Sequence, residues 1–219
     1  MSSHFKFFLL LMSLHGSLLV TSTVAGSKVF ALPYGLSASA TVLSYMATFI
    51  MLDTIAEIYG RSYSRLVINL GLLGMAVSAL YFEFTIRLPP AEFWPHQAAF
   101  ETVLNSSWRI WLAGWSAYLL SQNLDLWSFL KFKEVAVLNK SLVLRAWLSM
   151  LIAQLFDTLV FITIAFYGVF PLSSAILGQY FVKVIFATFA APFVSLAVVL
   201  GRRWIKAHSA AAAGDAQRA

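Results

Sequence analysis

Six stretches of the chain are apolar for about the length a helix needs to cross a bilayer, and short polar or proline-bearing segments separate them. The first runs from roughly Phe5 to Phe30, interrupted by Gly16 and Gly26, and the second from about Ser37 to Tyr59, ending at Gly60-Arg61. The third covers about Leu66 to Ile86 and stops at Arg87-Leu88-Pro89-Pro90, where proline removes backbone donors. Residues 88–107, with Glu92, Trp94, His96 and Glu101, form the one long loop. The fourth stretch extends from about Trp108 to Leu130 and the fifth from about Val143 to Val169. Pro171 marks a turn into the sixth, about Ser174 to Leu200. The pattern predicts an all-α integral membrane protein with six transmembrane helices. It forms a single domain over residues 1–203, followed by an Ala-rich polar tail, 204–219, expected to be disordered.

Composition agrees. Of 219 residues, 60% are hydrophobic and 11% charged, with a mean hydropathy of +0.80. Soluble domains carry about 25% charged residues. The start of the first stretch resembles a signal peptide, with small residues at Thr23-Val24-Ala25-Gly26. Its length and the five stretches that follow favour a retained span. There is no cysteine, which excludes disulfides, thiolate metal sites and cysteine nucleophiles. No cofactor is implied.

The net charge of +6 does not point to nucleic acid, because the cations sit beside apolar stretches, as topology signals do. One set of loops and ends holds Lys6, Arg61, Arg65, Lys131, Lys133, Lys140, Arg145, Arg202, Arg203, Lys206 and Arg218, eleven in all. The opposite set holds Lys28, Arg87 and Arg109, and Lys183 lies within a span. Eleven against three places both termini in the cytoplasm. Trp108, Trp111, Trp115, Trp127, Trp147 and Trp204 lie near span ends, as interfacial anchors do.

Against this background the ionisable residues inside spans stand out, since each costs about 2.5–3.5 kcal/mol even on insertion scales. They are Asp53 and Glu57 in the second span, Asp125 in the fourth, Asp157 in the fifth and Lys183 in the sixth. Asp53 and Glu57, four apart, share a helix face and can present two carboxyls to one place. Glu57 and Asp125 lie near cytoplasmic ends, where they can also reach water. Asp157 and Lys183 can form a buried pair that holds the bundle together, a role compatible with lining a polar cavity.

The pattern Gln-x-x-Asp-x-x-x-Phe occurs twice, at Gln122, Asp125 and Phe129 and, 32 residues later, at Gln154, Asp157 and Phe161. Each copy puts an amide, a carboxylate and an aromatic plane on one helix face. Gln179, Tyr180 and Lys183 add an amide, a phenol and a cation on the sixth span. A carboxylate can accept two hydrogens from the N–H edge of a guanine-like ring, an amide can serve its carbonyl, and an aromatic ring can stack on it. The chemistry suits a small, flat, polar heterocycle, and equally an amino acid or an ion.

At these residues the chain resembles the queuosine precursor transporters, also called the vitamin uptake transporter family. The resemblance covers about Thr21 to Leu200. It is most specific in Asp53-Thr54-Ile55-Ala56-Glu57-Ile58-Tyr59-Gly60-Arg61, and in Ala117-Tyr118 through Gln122, Asp125 and Phe129. It continues in Arg145, Ser149, Gln154, Asp157-Thr158 and Phe161, and in Tyr180, Lys183-Val184 and Pro192. Membership implies six helices, a bacterial inner-membrane location and uptake of a 7-deazaguanine base such as 7-cyano-7-deazaguanine. The implied binding residues are Asp53, Glu57, Gln122, Asp125, Gln154, Asp157, Tyr180 and Lys183, with no metal. The family tends to carry an asparagine five residues before the first-span lysine; Thr23 precedes Lys28 here, a departure at that contact.

Three other readings compete, of which a purely structural membrane protein is disfavoured by the number of charges inside spans. Gly114-Trp115-Ser116-Ala117 matches the short pattern of an intramembrane serine protease. That chemistry needs a histidine base beside the serine, and His4, His15, His96 and His208 supply none on a later span. There is no phosphate-binding loop for ATP hydrolysis. A substrate-binding subunit energised by a separate ATPase fits the small size and stays open.

Overall fold

A computed structural model describes residues 2–26, 28–31, 37–104, 108–168 and 172–216. The helices are α1 (Ser3–Ala25), α2 (Thr41–Tyr59), α3 (Arg61–Ile86), α4 (Gln97–Leu104), α5 (Trp108–Phe132), α6 (Ala136–Asn139), α7 (Leu142–Phe166) and α8 (Leu172–Ala216). Five are long and apolar enough to cross a membrane: α1, α2, α3, α7 and the stretch Ala175–Ala210 of α8. α5 is as long as α7, about 37 Å at 1.5 Å per residue, but Gln122, Asn123 and Asp125 lower its hydropathy. Gln122 and Asp125 are buried in a helix that packs most extensively on α7, whereas Asn123 is exposed and donates to the Leu119 carbonyl at 2.8 Å.

Polar groups point inward and apolar ones outward, the reverse of a soluble bundle. Leu73, Val77, Leu80 and Phe84 on α3, and Leu177, Phe181, Phe189 and Phe193 on α8, are exposed, whereas Asp53, Gln122, Asp125, Gln154 and Thr158 have no accessible surface. Lipid covers such a face at no cost, while buried polar groups avoid hydrocarbon only by meeting each other.

The first span is shorter than its apolar run. α1 ends at Ala25, and Val29–Ala31 (β1) pairs antiparallel with Ser37–Ser39 (β2), with Phe30 opposite Ala38. The sequence of this stretch, with Gly26, Pro33 and Gly35, disfavours helix, and an extended ribbon satisfies backbone groups that a continued span would have left to the helix. α2 and α3 meet at one residue, Gly60, whose φ of 81° lies in the left-handed region that glycine adopts readily. The long loop contains α4, anchored by Gln97 Nε2 donating to the Ile86 carbonyl at 3.0 Å.

α8 continues through Arg202 to Ala216, where the run of alanines after His208 carries the highest helix propensity, and residues 217–219 of the expected tail lie outside the described residues. Pro192 lies inside α8 without ending it.

Two close approaches lock the bundle. A Cβ on Gly71 of α3 would lie 2.3 Å from Tyr118 Oη and 2.7 Å from Leu19 Cδ1, so α1, α3 and α5 meet there. Tyr118 donates to the Ile68 carbonyl at 3.1 Å, and its oxygen lies 3.2 Å from His15 Nε2. Within α8, a Cβ on Gly201 would lie 2.4 Å from the Phe7 ring of α1.

Candidate functional site

A cavity of about 810 Å³ opens in the half of the bundle remote from the start of α1 and the end of α8. That volume lies within the roughly 300–1,000 Å³ usual for small-molecule sites. Every long helix contributes: Ser22 and Thr23 from α1, Thr41 and Tyr45 from α2, Met75 and Phe82 from α3, Trp111 and Trp115 from α5, Asp157 and Phe161 from α7, Gln179 and Lys183 from α8.

Asp157 is its chemical centre. Its Oδ2 accepts from Lys183 Nζ, and its Oδ1 accepts from Tyr45 Oη at 3.0 Å and Ser121 Oγ at 3.3 Å. Four helices thus converge on one carboxylate that is 6% exposed and forms part of the cavity wall. Both of its oxygens are thereby held by donors at the edge of the cavity, where Lys183 lines the wall beside it. Trp111, Trp115 and Phe161 supply flat apolar surface around it.

Beyond Asp157, toward the other end of the bundle, further polar side chains are buried that do not line this cavity. Gln122 Nε2 donates to Thr48 Oγ1 at 3.2 Å, leaving its Oε1 unpartnered. Both side-chain atoms of Gln154 and the Thr158 hydroxyl have no partner. Asp53 on α2 and Asp125 on α5 are neighbours, with Ser149 beside Asp125 and Arg145 near Asp53, and none of their four carboxyl oxygens receives a hydrogen bond. Buried polar groups in folded proteins nearly always have partners, so this set is exceptional.

Beside this set lies an ion cluster. Glu57 accepts from Arg145 Nη2 at 2.6 Å, from Lys133 Nζ at 3.2 Å and from Arg202 Nη2 at 3.3 Å. One carboxylate thereby ties together α2, α7, α8 and the segment after α5. The Arg145 guanidinium also lies 4.7 Å from the centre of the Phe129 ring.

The amino-acid pattern and the three-dimensional arrangement agree only in part. Asp157 and Lys183 are brought together at the cavity. Asp53 and Glu57 both lie near Arg145 but make different contacts: Asp53 turns toward Asp125, and Glu57 takes the Arg145 guanidinium at the end of the bundle. Asp125 does not reach water; it is wholly buried. Tyr180 lies outside the cavity lining and donates to the Leu151 carbonyl at 3.3 Å. The repeated motif diverges because α5 and α7 run antiparallel, which sends Asp157 toward the cavity and Asp125 toward the other end. Of its two aromatics, Phe161 faces the cavity and Phe129 packs under Arg145. Trp111 and Trp115, expected as interfacial anchors, line the cavity. Thr23 also lines it, its hydroxyl donating to the Val20 carbonyl at 2.7 Å, while Lys28 is exposed. Tyr45 was not singled out from the sequence; it lies eight residues before Asp53, two helical turns away on the same face. Ser121, adjacent to Gln122, was likewise missed.

A family model described as a putative vitamin uptake transporter matches residues 39–197, which hold α2, α3, α5, α7 and the first part of α8. The chain belongs to this family of transporters. A protein of Bacillus subtilis (strain 168) named "Probable queuosine precursor transporter" is 27% identical over 163 residues, 74% of this chain and 70% of that protein. No solved structure matches.

As a transporter rather than an enzyme, the protein needs no nucleophile, and Ser116 is not placed as one. It is exposed on α5, whereas His15 is buried with its ring nitrogens near Tyr118 Oη and the Thr48 carbonyl. Among the described residues no cluster of three or more His, Cys, Asp or Glu suited to a metal occurs. Arg109 supports the cavity end of α7, donating to the Ile164 and Tyr167 carbonyls at 2.6 Å each.

Proposed function

We propose that this transporter imports a queuosine precursor, a 7-deazaguanine base such as 7-cyano-7-deazaguanine, across the bacterial inner membrane. The observation that carries the reading is the Asp157 carboxylate, held by Tyr45, Ser121 and Lys183 in the wall of an aromatic-lined cavity. A purine-like ring carries an N–H edge for a carboxylate and two apolar faces for aromatic rings. Gln179 adds an amide for the ring's carbonyl edge. The name of the Bacillus subtilis relative supports the same substrate.

In this reading α5 is the sixth span and both termini face the cytoplasm, as the lysine and arginine distribution favours. The cavity then faces outward, and the Gln122–Gln154, Asp53–Asp125 and Glu57–Arg145 layers close the inward path. Transport alternates by parting these layers while the outer helix ends close over the substrate, with Lys183 balancing the charge of Asp157 throughout. Gln122, Gln154, Asp53 and Asp125 meet the substrate only on the way in.

The test uses a bacterial strain that neither makes nor imports the precursor. It receives this gene and 7-cyano-7-deazaguanine at nanomolar supply, and queuosine is assayed in tRNA. Queuosine formed with the intact protein and not with Asp157→Asn supports substrate and site together. Membrane-inserted protein without queuosine rejects this substrate. Uptake by the purified protein alone in liposomes would separate it from a subunit that depends on an ATPase.

A further inference from the structure

The Asp53–Asp125 pair is not explained by a cavity that ends at Asp157. Both side chains have no accessible surface, lie on neighbouring helices and face each other, and none of their four oxygens has a donor. Two carboxylates so placed repel each other and forgo the hydrogen bonds that water would have given them. One proton corrects both defects: it supplies a donor between the two groups and removes one of the two like charges, as in other carboxyl pairs that hold a single proton.

The surrounding charges do not supply that correction. Arg145 and Glu57 are the charged groups that face Asp53. Arg145 Nη2 is committed to Glu57, and its Nε is buried without a partner. Lys133 and Arg202 reach only Glu57, from the rim, with side chains 46% and 60% exposed. The buried set therefore holds three carboxyls and one guanidinium. Ser149 beside Asp125 is neutral and already donates to the Ala146 carbonyl at 3.1 Å.

From this arrangement we infer that Asp53 and Asp125 form a proton site that couples import to the proton gradient. The inference rests on the import reading and adds its energy source. With the cavity facing outward, the pair holds one proton between an Asp53 and an Asp125 oxygen, and Arg145 is held away by Glu57. When the inner layers part, the Glu57–Arg145 bond breaks and the guanidinium turns to the carboxyls. It then replaces the proton, which leaves to cytoplasmic water. A proton suits the site better than a metal cation, because a positive guanidinium stands next to it and only two carboxyls converge there.

Two measurements test this. Infrared difference spectra of the protein in lipid, between neutral and alkaline pH, should show the carbonyl band of a protonated carboxyl. The band should disappear in both Asp53→Asn and Asp125→Asn, and return at a shifted frequency in Asp125→Glu, with size-exclusion profiles confirming folded protein. A missing wild-type band, or one unmoved by all three substitutions, overturns the proposal. This readout needs no substrate, so it stands apart from the choice of 7-deazaguanine. In proteoliposomes, an inward proton gradient should raise uptake of 7-cyano-7-deazaguanine severalfold. Whatever uptake Asp125→Asn retains should ignore the gradient. Uptake that follows a sodium gradient and not a proton gradient also overturns it. A band that behaves as expected, with no uptake by the wild type, upholds the proton pair and rejects the substrate instead.

Discussion

Lys183 of α8 donates to Asp157 of α7, and the pair stands in the cavity wall rather than deep in the packed bundle. The pair is therefore both a structural tie and a candidate ligand contact, and the two roles respond differently to substitution. Asp157→Ala leaves a buried ammonium without its partner, an arrangement that costs about 3–5 kcal/mol in buried pairs. Its melting temperature in detergent should fall well below that of the wild type. Asp157→Asn with Lys183→Gln removes both charges and should recover much of that loss, yet uptake should remain at least tenfold down. Recovery of transport with stability would show that the pair only holds helices together.

Glu57 is the shared partner of Arg145, Lys133 and Arg202 at the end of the bundle opposite the cavity. Glu57→Ala strands the Arg145 guanidinium, which is buried, and costs about 3–5 kcal/mol by the same reasoning. The inner layers should then part more often. Because the chain has no cysteine, a single Thr48→Cys can report this: a thiol reagent supplied from the cytoplasmic side should label it several times faster in the Glu57→Ala background. Equal labelling rates would remove Glu57 from the closing layer.

Sidedness can be read with the same cysteine-free chain. Glu92→Cys, in the loop before α4, and Gln179→Cys, in the cavity, should react with an impermeant thiol reagent from the periplasmic side. Lys206→Cys should react from the cytoplasmic side alone. Labelling of Glu92→Cys and Lys206→Cys from one side would contradict an odd number of spans between them and, with it, α5 as the sixth span.

Gly71→Ala places a methyl group 2.3 Å from Tyr118 Oη and 2.7 Å from Leu19 Cδ1. Overpacking of this kind costs about 1–3 kcal/mol. The variant should melt lower, and Gly74→Ala, where a Cβ meets nothing within 4 Å, should melt close to the wild type. Equal melting temperatures for Gly71→Ala and Gly74→Ala would show that the contact with Tyr118 does not govern this part of α3, since alanine favours helix over glycine at both positions.

The helices were legible because a bilayer imposes its thickness on composition. α3 and α7 need apolar residues for roughly 20 positions, and Gly60 marks where α2 gives way to α3 while Pro89 and Pro90 follow the end of α3. α5 was legible by length and by its bounding tryptophan and lysine, although its polar residues lower its hydropathy. The ribbon of Val29–Ala31 with Ser37–Ser39 was not, since an apolar run gives no sign of where a helix yields to paired extended strands. The helical tail was not legible either: a polar, Ala-rich segment satisfies the composition of a disordered chain and the propensity of a helix at once.

Within the site, the residue types were written in the sequence, because charge inside a span is costly and is kept only where it meets a partner or a ligand. Asp53, Asp125, Asp157 and Lys183 could be named without coordinates. Their partners could not. Spacing along one helix tells which residues share a face, but the face opposite belongs to another helix, and only the packing of antiparallel neighbours decides what it meets. That packing gave Asp157 to Lys183, Tyr45 and Ser121 beside a cavity, gave Glu57 to three cations, and left Asp53 facing Asp125 with nothing between them.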